Sequence, residues 1–320
     1  MRTRALAICV ALAACVLAAT AHAEFPDKPV RFVVPFPAGG GNEITARALA
    51  EGMTKDLGQQ VLIDIRAGAG TVIGTENALK SPPDGYTILM ASFAHSINPS
   101  LVAKLPYDPG KLTYIAMIGR FANSVVIPPD RPFKTMAELI AYAKANPGKL
   151  NYGSFGNGTS PHMFPELLKS MMALDITHVP YKGAAPAIID LLGGRLDMIF
   201  STSASAASHV RSGKLLLVAV TSAARSSFYP DVPTVAEAGV PGYDAVAWYG
   251  VLAPPGLSAD IAARLTKSVM TAANTDLFQR RAKEDGIEID LGGPEKLGPF
   301  MRSEEERWRK VVQQAKIKPD

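Results

Sequence analysis

Two glycine-rich stretches carry residue types able to hold an anion. The first, Pro35-Phe-Pro-Ala-Gly-Gly-Gly-Asn-Glu43, follows the β-branched run Arg31-Phe-Val-Val-Pro35. It precedes Ile44, Ala48, Leu49, Met53 and Leu57, apolar residues at helical spacing. Glycines at such a junction, Gly39 and Gly40 above all, let backbone N–H groups approach a ligand, and the helix start adds partial positive charge. A plain tight turn built on left-handed residues explains the same glycines equally well.

The second stretch, Gly153-Ser-Phe-Gly-Asn-Gly-Thr-Ser-Pro-His162, again follows a strand and precedes a helix, read from Met163, Leu167, Leu168 and Met171. Gly156 offers its backbone, and the hydroxyls of Ser154, Thr159 and Ser160 can donate to a carboxylate as amides do. Ser160 also fits an N-cap with Pro161 at the first helical position, so capping competes with ligand contact there. Pro165, early in this helix, predicts a kink.

Three further residues carry charge or can titrate. Glu43 falls in a first helical turn, where it either complements the dipole or meets a ligand donor. His162 is a ligand contact or a structural hydrogen-bonder. Asp197, within Gly194-Arg-Leu-Asp-Met-Ile-Phe200, must be paired if buried, as a core organiser or a cleft residue.

The competing chemistry is enzymatic, a hydrolase or other small-molecule enzyme using the same cleft. Ser160 and His162 are two apart on a helix and do not face each other as nucleophile and base, and no Gly-x-Ser-x-Gly elbow is present. Gly68-Ala-Gly-Thr-Val-Ile-Gly74 follows a strand, but its third glycine is misplaced for a dinucleotide fingerprint. The five histidines show no paired metal-ligand spacing. We therefore expect a binding protein with no catalytic residue, cofactor or metal.

The elements that position these loops alternate strand and helix, which predicts an α/β fold with largely parallel sheets. Strands are expected at 61–65, 86–91, 114–118 and 125–127. Beyond Pro132 come a helix over 137–145 and strands near 151–152, 177–180, 195–200 and 215–221. Chain crossings near 121–126 and 248–253 divide the chain into two domains, 24–123 with 248–320 and 124–247. Helices over 259–273 and 304–315 return to the first. Two crossings make a hinge that can close about a ligand.

The amino terminus places this fold. Met1-Arg2-Thr3-Arg4, an apolar run over residues 5–19 and Ala21-His22-Ala23 form a secretory signal over 1–23, too short to span a bilayer as a helix. Leu12-Ala13-Ala14-Cys15 is the competing processing site, with a lipidated Cys15. Removing 1–23 takes both cysteines, Cys9 and Cys15, and lowers the formal charge from +4 to +2. That leaves no disulfide and no nucleic-acid footprint.

The ordered combination of motifs resembles the substrate-binding proteins of tripartite tricarboxylate transporters, the Bug family of periplasmic receptors. It comprises Val34-Pro-Phe-Pro-Ala-Gly-Gly-Gly41, Gly68-Ala-Gly70 with Gly74, Pro83-Asp-Gly-Tyr86, Ile97-Asn-Pro-Ser-Leu101, Tyr152-Gly-Ser154 with Gly156-Asn-Gly-Thr159, Val179-Pro-Tyr-Lys-Gly-Ala184, Leu191-Leu-Gly-Gly-Arg-Leu-Asp197, and Tyr249-Gly with Ala253-Pro254. The resemblance implies a two-domain Venus-flytrap fold of the periplasmic-binding-protein type with the ligand cleft between the domains. It implies a small organic carboxylate (a di- or tricarboxylate, aromatic acid or acidic amino acid) held largely by backbone amides and waters, and delivery by a monomeric receptor to membrane permease subunits. It also brings Ser92 and Tyr181 near the cleft. Glu43 stands where relatives usually carry aspartate. Phe93 and Phe155 replace smaller residues and, with Phe36, suit a flat or aromatic acid.

Overall fold

The computed structural model describes residues 25–315 and 317; the signal-like segment lies outside them. The chain first lays down three parallel strands with their crossover helices. These are β1 (Val30–Val34), α1 (Gly41–Leu57), β2 (Val61–Ile65), α2 (Val72–Leu79), β3 (Thr87–Ser92) and α3 (Ala94–Leu101). β1 lies between β2 and β3, and Val30, Phe32, Val33 and Val34 are all fully buried. A near-continuous apolar run is what a parallel strand covered on both faces requires. Gly58, at φ 69°, caps α1 by donating its N–H to the Thr54 carbonyl, the left-handed stop for which glycine has no Cβ penalty.

A single 15-residue strand, β4 (Thr113–Ile127), then runs from one lobe into the other. The second lobe contains α4 (Met136–Ala145), β5 (Asn151–Ser154), α5 (Ser160–Met172), β6 (Thr177–Pro180), α6 (Ala184–Leu192), β7 (Met198–Thr202), α7 (Ser203–Arg211) and β8 (Leu216–Val220). The chain returns through β9 (Val246–Ala253) and adds α8 (Ala259–Ala273), α9 (Asp276–Glu284), β10 (Glu288–Gly292) and α10 (Pro294–Gln314) to the first lobe. The strand order is β2-β1-β3-β9-β4-β7-β5-β6, with β10 and β8 also on β4.

Residues 114–118 and 125–127, expected as separate strands, are the two ends of β4. The polar middle continues the strand because tertiary pairing satisfies it. β9 pairs as far as Ala122, and β7 takes over from Asn123. The Asn123 side chain, fully buried, donates to the Phe200 carbonyl at 2.8 Å and to Ser160 Oγ at 3.1 Å. The helix at 304–315 is longer than its apolar spacing predicted, starting at Pro294. α5 runs unbroken through Pro165, so the expected kink does not interrupt it.

Two packing features hold the helices together, one within the first lobe and one between the lobes. α8 lies so close to α1 that a Cβ on Gly52 would sit 2.8 Å from the Ala272 Cα. Trp308 of α10 is fully buried, stacked on Phe164 of α5 (centroids 5.5 Å apart) and edge-on to Phe93 (4.8 Å), so one indole joins both lobes. Among the described residues no helix is long and apolar enough to cross a membrane.

Candidate functional site

Four helices begin at one place. Asn42 stands in the first turn of α1, Phe93 and Ala94 open α3, Ser160 and Pro161 open α5, and Thr202 caps α7. All of them line a small inner compartment of about 40 Å³. Each helix follows the carboxyl end of a strand (β1, β3, β5 and β7), the edge where open α/β sheets take ligands. The first N–H groups of a helix have no partner within it, and its dipole is positive at that end. No charged side chain lines this compartment. Its volume admits roughly three oxygen-sized groups, so the arrangement suits one anionic head group.

An outer compartment of about 370 Å³ adjoins it, sharing Phe36, Phe155 and Thr159 as walls. Pro35, Pro37, Ala67, Ala69 and Tyr181 add apolar surface, and Lys182 is its one charged lining residue. Its floor includes a loop absent from the sequence-derived site. Gly68, Ala69, Gly70 and Thr71 have φ of 139°, 45°, 57° and 86°, a run costly for the two non-glycine residues. Asn98 holds it by donating to the Gly70 carbonyl at 3.1 Å and to Thr71 Oγ1 at 2.9 Å. Gly68-Ala-Gly70 was visible in the sequence as a glycine motif but had no partner there to show what it faced.

The lobes meet around this cavity at glycines. A Cβ on Gly70 would lie 2.9 Å from the Asn157 carbonyl oxygen, and one on Gly183 would lie 3.1 Å from Pro37 Cγ. The cleft is thus closed, first-lobe loops touching second-lobe loops.

Of the residues proposed from sequence, Phe36, Ser92, Gly156, Thr159, Ser160 and Tyr181 line one or both compartments. The Ser92 hydroxyl makes no hydrogen bond among the described residues. Thr159, not Ser160, is the N-cap of α5, and its hydroxyl donates to the Gly156 carbonyl at 2.6 Å instead of pointing a free donor at the cleft. Ser160 is already helical and its hydroxyl pairs with Asn123. Tyr181 donates to Asp190 at 2.7 Å, and burial together with that carboxylate pushes its pKa up to about 12.

The remaining candidates line neither compartment. Gly39, at φ 83°, donates its N–H to Glu43 Oε2 at 3.0 Å, and Gly40 is the N-cap of α1. Glu43 is buried and also takes the Arg47 guanidinium; burial pushes its pKa up, but Gly39 and Arg47 outweigh it and hold it below the ordinary value. Its carboxylate braces the first loop from behind. Ser154 is fully buried, bonded to His178 Nε2 at 2.7 Å. Asp197 pairs with Arg131 at 3.1 Å and accepts from the Asn151 N–H, organising the second lobe.

His162 stacks on His178 (centroids 4.2 Å apart) and accepts the Gly158 N–H on Nδ1 at 3.1 Å. Burial, with Lys169 nearby, lowers its pKa to about 4. With its Nδ1 engaged in this way and Ser160 held by Asn123, the two form no nucleophile–base pair. Among the described residues no group of three or more His, Cys, Asp or Glu is placed to hold a metal.

Sequence reasoning missed Asn42, Thr202, Tyr249 and Lys182. Asn42 Oδ1 is buried at the inner compartment without a hydrogen-bond partner among the described residues. Asn42 stood inside the first glycine stretch, and Lys182 and Tyr249 inside quoted motifs, but nothing local showed that they face the cavity, since each reaches it only through the packing of the lobes.

Comparison with known proteins identifies the family and agrees with the fold. A family model described as "Tripartite tricarboxylate transporter family receptor" matches residues 45–317. Protein BugT of Bordetella pertussis (strain Tohama I) is 34% identical over 323 residues, covering 99% of each chain. Among solved structures, R. palustris Rpa4515 with adipate superposes with a TM-score of 0.88 at 34% identity, covering 93% of this chain and 100% of that one. The periplasmic binding protein BugD gives 0.87 at 32% identity, covering 92% and 100%. On this evidence the chain belongs to the tripartite tricarboxylate transporter receptor family.

Proposed function

We propose that the protein captures a small organic carboxylate in the closed cleft, outside the cytoplasmic membrane, and delivers it as a monomer to the permease subunits of a tripartite transporter. The observation that carries the reading is the convergence of four helix N-termini on an inner compartment without a charged side chain. Amides and dipoles there can neutralise one carboxylate, with the Asn42 side-chain NH2 and the Ser92 hydroxyl as the side-chain donors. The body of the ligand then occupies the outer compartment, between Phe36 and Phe155. The adipate in Rpa4515, a relative of similar size, supports a carboxylate of this class. In this reading the lobes are 24–123 with 248–320 and 124–247, and they hinge where β4 and β9 pass between them, near residues 123–124 and 247–248.

Calorimetric titration of the chain starting at Glu24 tests it. Adipate should bind with one site per chain and be recovered unchanged, and its uncharged diamide should not bind. Equal binding of the diamide would remove the anion from the mechanism, and turnover of the acid would restore an enzyme. Ser92→Ala, which removes one hydroxyl contact to a charged group, should weaken adipate by roughly tenfold.

A further inference from the structure

The cleft carries a second positive focus. Among the described residues Lys182 is the only charged residue lining either compartment, and it belongs to the outer one. It has no ion-pair or hydrogen-bond partner among the described residues. Asp190, the acid bonded to the neighbouring Tyr181 hydroxyl, is already engaged by Arg195. Gly183 packs against Pro37 of the opposite lobe, which sets Lys182 at the seam where the lobes close. Tyr181 is bound through its N–H to the Ser154 carbonyl at 3.1 Å, so the backbone carrying Lys182 is fixed while its long side chain can reach.

We propose that Lys182 is a specificity-determining residue that reads a second anionic group at the far end of the ligand. The proposal rests on the reading of the cleft as a carboxylate site. The first carboxylate lies among the helix starts, the ligand body lies between the phenylalanines, and the distal charge meets Lys182 only once the lobes have closed. No acidic side chain lines the cavity to compete for the ammonium. An ion pair partly shielded by closure lies between an exposed pair, which contributes little, and a desolvated charge-assisted bond. Selectivity for the dianion of about tenfold follows.

Matched ligands provide the test: adipate against hexanoate, and terephthalate against 4-methylbenzoate, titrated into wild type, Lys182→Met and Lys182→Arg. Wild type should prefer each diacid by about tenfold, and raising the salt should narrow the preference. Lys182→Met should bring diacid and monoacid to within about twofold by weakening the diacid alone, and Lys182→Arg should restore the difference. Unchanged melting temperatures are expected, because Lys182 is exposed and unpartnered. Diacid preference that survives Lys182→Met, or monoacids bound as tightly as diacids by wild type, would overturn the proposal and leave the carboxylate reading standing. Failure of all four acids to bind would overturn both.

Discussion

Gly70→Ala tests whether the lobes meet in the bound state as they do here. The added Cβ would approach the Asn157 carbonyl oxygen to 2.9 Å, a contact between loops of the two lobes that their separation would remove. Gly70 also sits at φ 57°, ψ 36°, where an alanine costs about 1 kcal/mol in open and closed forms alike. The two costs separate by assay. Backbone strain should lower the melting temperature of the free protein by about 2–4 °C. The overlap, which Asn157 can relieve only by moving main chain, should cost a further 1–2 kcal/mol or so on closure, since overpacking of this kind runs at about 1–3 kcal/mol. A ligand that binds the closed form should then weaken by roughly five- to thirtyfold. Calorimetry gives the affinity, and small-angle scattering with and without adipate gives the compaction. Wild-type affinity with full compaction would show that these loops do not touch around the ligand, and the cavity assignment would fall with them.

Other outcomes follow from single observations. Intact mass of protein recovered from the periplasm should begin at Glu24; a diacylated Cys15 would instead place the receptor on a membrane surface. His95 and His162 are both buried with pKa values lowered to about 4, so the unfolded chain binds more protons between about pH 6.5 and 4. Stability is therefore present above that window and falls with pH through it, by up to about 1.4 kcal/mol per pH unit for each histidine; an acid denaturation slope unchanged in His162→Gln would refute the assignment. Thr159→Val removes the internal bond to Gly156, so both melting temperature and affinity should drop. A loss of affinity alone would mean that the hydroxyl donates to the ligand.

Much of this protein could be read one residue at a time. Strand-to-helix junctions at Pro35–Gly41 and Gly153–Ser160, the left-handed cap at Gly58 and the alternation of strands and helices are local, because backbone conformation follows from a few neighbouring residue types. The family resemblance rests on the same local motifs. What local pattern could not supply was direction. Glu43, Ser154, His162 and Asp197 had the right chemistry beside the right loops, yet each turns to a backbone amide or side-chain partner behind the cleft, since a buried polar group must be satisfied wherever packing offers a partner. Asn42 and Lys182 stood inside recognised motifs and Thr202 outside them, and none showed locally that it borders the cavity. The crossing expected near 121–126 contains Asn123, where the partner of β4 changes from β9 to β7, a change that only the tertiary pairing displays. Four helix starts from both lobes form a single site only after β4 and β9 have joined the sheets, and that convergence is a sum of long-range pairings. A period of two or of 3.6 residues specifies which face of an element is apolar, whereas the position of one helix end relative to another is decided by the packing of the whole core.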